Sequence, residues 1–303
     1  MSRITLAILL TEGNFSCVKA AQGIGLFSHD QLTRELAREV VYTAILTPLE
    51  DLPKEGELSV DDTVIAKPHA AEIEGLAYTY SSSDDQVVFG MNVFLGTWRA
   101  EGKLYLVKVE LPGECSKHEL FQELLRQLKE AGCEPSCVYF DSWYACSATL
   151  NLIDSLHWTY VTRIKGNRLY EGIPLKKLRF FGAKSKQGRL KGVKHRVQIV
   201  KHNDRFLATN VLTPHTTRSL VRQYQKRWVI ETVFRALKSV LQLEKCSCRS
   251  KRAQFNHLLA AIEAFKYLAE AFPDLGPELA QREFIRQYRA GLIKPQEILR
   301  HAA

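Results

Sequence analysis

The chain has 303 residues, 46% hydrophobic and 25% charged, which excludes a disordered or fibrous protein and fits one large domain with additions or two to three small ones. Its formal net charge of +9 permits a polyanionic partner without identifying one. The longest early apolar run, Leu6 to Leu10, stops at Thr11 and Glu12, far short of the roughly 20 residues a membrane span needs.

The seven cysteines are odd in number and nothing marks secretion, so they read as reduced thiols in a cytoplasm. Cys133-x3-Cys137 and Cys246-x-Cys248 both lack the familiar two-residue spacing of zinc half-sites.

Along the chain, Phe15 to about Thr47 reads as helical. Ser28-x-x-Gln31 has the pattern of a capping box, and Leu32, Leu36 and Val40 follow on one face. A small helical DNA-binding module and an ordinary helical pair both fit this stretch. Thr47 to Glu57 holds two prolines and several acids and reads as a linker.

Strand patterns follow at Leu58 to Ile65, Val87 to Leu95 and Leu104 to Val109. Lys117 to Ala131 is amphipathic, with Leu120, Leu124, Leu125 and Leu128 on one side. Ser136 to Phe140 is a short strand, a helix runs to about Leu156, and Trp158 to Ile164 is strand-like. Three antiparallel strands and two crossover strands predict a mixed sheet.

From Arg163 to Arg205 the chain carries fourteen Lys and Arg residues, opposed only by Glu171 and Asp204. That excess is larger than the net charge of the whole chain. Tyr170, Phe180 and Phe181 interleave with it. Basic groups collect phosphate contacts and aromatic rings stack on exposed bases, so the segment reads as a nucleic-acid surface, with Lys184, Lys186, Arg189, Lys191, Phe180 and Phe181 as its candidate contacts.

After Pro214 a long helical pattern contains Tyr224-x2-Arg227-x3-Glu231-x6-Lys238. At about 100° per residue these four side chains share one narrow stripe. A carboxylate flanked by a guanidinium, an ammonium and a phenol suits a metal-bound phosphate. A solvent-facing stripe of incidental ion pairs fits the spacing equally well.

The stripe resembles the Y-x2-R-x3-E-x6-K signature of DDE transposases of the insertion sequence 4 group. Val60-Asp61-Asp62-Thr63 resembles that family's first motif, an aspartate followed by threonine at the end of the first core strand. Tyr139-Phe140-Asp141-Ser142 resembles the second, an aspartate ending the fourth strand. The motifs keep family order, and the basic segment lies where family members carry a β-rich insertion. The resemblance spans about Leu58 to Leu259.

It implies an α/β fold with a ribonuclease H-like mixed sheet and helices on both faces. The implied domains are a helical N-terminal region at 1–57, a catalytic domain at 58–264 with its basic β-rich insertion at about 166–206, and a helical tail at 265–303. Asp62, Asp141 and Glu231 are implied as the catalytic, metal-holding carboxylates, with two Mg²⁺ or Mn²⁺ ions. Tyr224, Arg227 and Lys238 are implied to grip phosphates. The implied activity is cleavage at element ends and strand transfer into target DNA. Double-stranded DNA is the partner, bound by a homodimer in a bacterial cytoplasm at the nucleoid.

Two strand ends and a helix can bring three carboxylates onto a pair of divalent ions, and hard oxygen ligands favour Mg²⁺ or Mn²⁺ over zinc. Neighbours on a strand face opposite ways, so only one of Asp61 and Asp62 can serve; the following threonine selects Asp62. Asp84 and Asp85 read as loop caps. A catalytically inactive DNA-binding derivative and a ribonuclease H-like nuclease that cuts without joining are the alternatives.

Overall fold

The computed structural model describes residues 1–39, 45–70, 72–81, 85–111, 113, 115–180, 185–213 and 216–299. Val40, Asp84, Phe181, Lys184 and Pro214 lie outside the described residues.

In chain order the elements are α1 (Arg3–Leu10), α2 (Cys17–Ile24), α3 (His29–Ala37), β1 (Glu55–Ala66), β2 (Ala77–Ser81), β3 (Gln86–Ala100), β4 (Lys103–Glu110), α4 (Lys117–Glu130), β5 (Glu134–Phe140), α5 (Ser147–Ser155) and β6 (Tyr160–Ile164). Then come β7 (Leu169–Tyr170), β8 (Ile173–Pro174), β9 (Ser185–Gly188), β10 (Val197–His202), β11 (Arg205–Thr209), α6 (Thr217–Gln225), α7 (Trp228–Arg235), a π-helical turn (Ala236–Val240), α8 (Lys251–Ala271), α9 (Pro277–Arg289) and α10 (Pro295–Ile298). None of the described helices is long and apolar enough to cross a membrane.

The chain forms two compact units. One comprises Met1–Ile45, Thr63–Asn92 and Thr232–Ala303; the other comprises Leu46–Asp62 and Val93–Glu231. The N-terminal helices and the C-terminal tail therefore belong to one discontinuous unit, where the sequence reading kept 1–57 and 265–303 apart. In that unit α8 is the central helix. Its Asn256 donates to the carbonyls of Leu36 (2.6 Å) and Arg38 (2.9 Å) at the end of α3, and its Glu263 accepts from Ser2 and Thr5 at the start of α1. These bonds satisfy helix-end and buried polar groups that would otherwise be costly. The expected capping box at Ser28 and Gln31 starts α3. In the same unit β2 pairs antiparallel with the first part of β3, from Ala77↔Gly90 to Ser81↔Gln86; the sequence reading did not find this strand.

The second unit is built on a mixed sheet in the order β3-β1-β5-β6-β11-β10-β9, with β4 paired to β3. The pairs β1–β5 and β5–β6 are parallel, and β3–β4, β6–β11, β11–β10 and β10–β9 are antiparallel. The basic segment carries β7 to β10 and the start of β11. There β9, β10 and β11 extend the sheet from β6, and β7 and β8 pair as a separate two-stranded hairpin.

Helices cover both faces of this sheet. On one, α4 and α5 bury Phe121, Leu124, Leu125, Leu128, Leu150 and Ile153 against Val60, Phe94, Val138 and Phe140. A reciprocal capping box of Ser116 and Glu119 fixes where α4 begins. Gly96 on β3 lets the helix approach: a Cβ there would lie 2.7 Å from Leu124 Cδ2. On the other face α6 packs Leu220, Val221 and Tyr224 against Cys137, Tyr139, Val161 and Leu207.

Candidate active site

The register of β1 on β5 decides what meets at the strand ends. Ser59 pairs with Tyr139 and Val60 with Phe140. Asp61 and Asp141 each follow by one residue. Val60 and Phe140 point into the α4/α5 core, whereas Tyr139 points toward α6. By strand alternation Asp61 belongs to the α6 face and Asp62 to the α4/α5 face.

The hydrogen bonds agree. Arg227, in the corner between α6 and α7, donates to Asp61 at 2.5 Å and also to Glu231 one turn along. Its guanidinium lies 5.4 Å from the centre of the Tyr224 ring, and its Nε is buried without a partner. Burial pushes the Asp61 carboxyl up to about 7; Arg227 opposes this, and the charges of Asp62 and Asp141 add to it. Burial also pushes the Tyr224 phenol up to about 12, with Arg227 opposing and Asp141 and Asp61 adding, so it is a donor at neutral pH. Burial alone would lower Arg227, but Tyr224, Asp61, Glu231 and Asp141 together hold it above its ordinary value. The arrangement is one guanidinium among more carboxylates than it can neutralise.

Asp62 is placed differently from the expectation. Its two oxygens accept from Tyr144 Oη at 2.6 Å and from Lys117 Nζ at 2.7 Å, on the α4/α5 side. Tyr144 is held well above the usual tyrosine range by burial and by the Asp62 charge, so it donates. The residue that shares a cation with Glu231 is Asp61, because strand parity sends Asp62 to the opposite face.

The four-residue stripe is also interrupted. Lys226 and Arg227 separate α6 from α7, and the π-helical turn at Ala236–Val240 shifts the phase further. Tyr224, Arg227 and Glu231 stay together. In the helical unit, Lys238 donates to the Val64 carbonyl at 2.7 Å and pairs with Glu244 at 3.1 Å.

Among the described residues no three His, Cys, Asp or Glu side chains are grouped so as to hold a metal ion. The donor set nevertheless suits one. Asp61, Asp141 and Glu231 offer hard carboxylate oxygens, and burial makes the charge on Asp61 costly unless a cation offsets it. The cysteines are free thiols, and neither pair forms a zinc cage.

A cavity of about 550 Å³ opens beside Glu231, lined among others by Arg163, Arg205, Tyr224, Arg227 and Trp228. Trp228 is 55% exposed; the sequence reading missed it, although a large aromatic beside Arg227 was a visible signal. Of the basic candidates, Arg189 and Lys191 are exposed. Lys186 sits 5.8 Å from the Phe180 ring, which packs on Phe206 at 6.2 Å and against the core. Phe180 is therefore partly packed into the fold.

This α/β unit brings Asp61 and Asp141 to adjacent strand ends, beside an arginine. The sequence matches the transposase DDE domain over residues 52–264, and the chain belongs to that family. It is therefore placed among transposases, enzymes that act on DNA. No curated protein matches the sequence. Among solved structures, the Drosophila P element transposase strand transfer complex is similar at 13% identity over 95% of this chain and 85% of that one, with a TM-score of 0.29. A likeness of that size carries no argument about fold or function.

Proposed function

We propose that the protein is a DNA transposase of the insertion sequence 4 group that cuts element ends and joins them to target DNA, with Asp61, Asp141 and Glu231 as its catalytic carboxylates. The observation that carries this reading is Arg227. One guanidinium joins Asp61 of β1 to Glu231 of α7, and Asp141 directly follows β5, the strand beside β1. The order of the five strands β4-β3-β1-β5-β6 supports a ribonuclease H-like core.

Divalent ions, Mg²⁺ or Mn²⁺, would be held by the three carboxylates and would supply activation of the attacking oxygen and stabilisation of the leaving oxygen. The rest falls to the chain itself. Arg227, exchanging its carboxylate partners for a phosphate, offers two parallel N–H donors to the substrate. Tyr224, protonated at neutral pH, donates one more hydrogen bond. Arg163 and Arg205 line the same cavity and draw the phosphate backbone toward it. Lys186, Arg189 and Lys191, with Lys184, extend the basic track. A homodimer on DNA, working at the bacterial nucleoid, completes the reading.

The test is a labelled duplex carrying the element's ends, incubated with the protein in Mg²⁺ and in chelator. Cleaved and joined products are expected only with Mg²⁺, and Glu231→Gln should stop both. Cleavage without joining identifies a nuclease, and binding alone identifies an inactive derivative. If Glu231→Gln cuts at the parental rate, the proposed centre is wrong.

A further inference from the structure

On the α4/α5 side, Trp143 stands two residues after Asp141 and is 52% exposed. Trp98 and Trp158, by contrast, are buried. Two ammonium groups lie over the Trp143 ring, Lys165 Nζ at 4.6 Å and Lys117 Nζ at 5.2 Å from its centre. The His118 imidazole runs within 9° of parallel to the indole, with centroids 6.3 Å apart, and its buried Nδ1 has no hydrogen-bond partner. Lys117 is anchored by Asp62, while Lys165 is exposed on a flexible stem. The indole is thus half in water, with a second flat ring and two cations gathered around it.

We infer that Trp143, His118, Lys117 and Lys165 form a docking platform for an unpaired DNA base next to the catalytic strand ends. This rests on the transposase reading. An aromatic face stacks on any base whose own face is open, and this contributes about 1–3 kcal/mol per base. Paired bases in a duplex are held in the stack, so the platform takes an unpaired base in a single-stranded extension. The two lysines supply charge for its flanking phosphates. Lys165 can pass its ammonium from the ring to a phosphate as the nucleotide arrives, because nothing buried holds it. Asp62, through Lys117, positions the platform and takes no part in the carboxylate centre across the strand.

The test uses the full chain in chelator, so that no cutting occurs. Binding is measured by anisotropy for a blunt duplex, the same duplex with a single-stranded extension, and extensions with one abasic position at a time. The parental protein should prefer the extension about tenfold, the lower part of the stacking range above. Trp143→Ala should lose that preference with little change on the blunt duplex, and Trp143→Phe should keep most of it. One abasic position should cost the parental protein about tenfold and Trp143→Ala nothing more. Lys165→Gln should reduce the salt slope on the extension by about one phosphate contact. Equal weakening on blunt and extended DNA, or no abasic position coupled to Trp143, overturns the platform. If the parental protein binds the blunt duplex and only the coupling is missing, the platform alone falls. If it binds neither DNA, the transposase reading falls with it.

Discussion

Asp61 and Asp62 are adjacent in the chain, yet the two faces of β1 give them opposite surroundings. Asp62 meets a lysine and a phenol, two donors for one carboxylate. Asp61 meets an arginine already shared with Glu231, with Asp141 nearby. One face is balanced within the protein and the other carries surplus negative charge. That difference teaches where an external cation belongs. On the proposed reading, the carboxylate whose partners the fold supplies is a positioning group, and the one it leaves under-compensated is the metal ligand.

The sharpest way to break this contrast is to neutralise each aspartate in turn. Asp61→Asn should lower Mg²⁺-dependent cleavage by about a thousandfold or more, the scale of losing about 4 kcal/mol of transition-state stabilisation. Asp62→Asn should cost about tenfold at most, through weaker positioning of Lys117. A kinetic comparison of the two variants on one labelled duplex checks this; equal losses would erase the distinction.

Removing the shared guanidinium comes next. Arg227→Gln leaves buried carboxylates unpaired and should destabilise by about 3–5 kcal/mol. Added Mg²⁺ should restore more of the melting temperature in this variant than in the parental protein. A loss that Mg²⁺ leaves untouched would mean that Arg227 occupies no cation position.

On the balanced face the effects should be smaller and indifferent to metal. Tyr144→Phe removes one hydrogen bond to a charged acceptor and should cost about 1.5–3 kcal/mol in denaturant unfolding, the same with and without Mg²⁺. Metal-dependent rescue there would place Asp62 among the ligands.

The helical unit supplies a pH control with no carboxylate surplus. His257 is fully buried, and burial pushes it down to about 4; its bond to the Gln242 carbonyl opposes this and Lys67 adds to it. The folded value lies below the unfolded one, so the unfolded chain binds the extra proton between about pH 6.5 and 4. Stability from this group is present above that window and lost as pH falls through it, by at most about 3 kcal/mol. His257→Gln should flatten the fall in melting temperature across that range; an unchanged pH profile would mean the imidazole is not kept neutral.

Much of this organisation is legible in the sequence. The hydrophobic alternation of β1, β3 and β4, the Leu-rich face of α4 and the short runs of β5 and β6 mark the sheet and its crossovers. Asp141 and Glu231 stand out by motif. The choice between Asp61 and Asp62 is not legible by motif alone. Alternation says that only one can serve, but which aspartate shares the α6 face with Asp141 depends on the pairing of Val60 with Phe140, a long-range contact. The parity clue was nevertheless present: Asp62 shares a side of the strand with Leu58 and Val60, the core-facing residues. For Lys238 the difficulty is one of helix phase. A constant 100° per residue assumes an unbroken helix, and the corner at Arg227 and the π-helical turn spoil the phase beyond one turn. Likewise β2, with exposed Tyr78 and Tyr80, lacks the apolar run that announces a strand.

The most direct test of the central claim is a Mn²⁺ titration of the metal-free protein followed by electron paramagnetic resonance, with Asp61→Asn and Asp62→Asn beside the parental chain. Free Mn²⁺ gives the signal and bound Mn²⁺ loses it. The account predicts that the parental protein and Asp62→Asn deplete the signal alike, whereas Asp61→Asn leaves it nearly undiminished. Depletion by Asp61→Asn with loss in Asp62→Asn would contradict it.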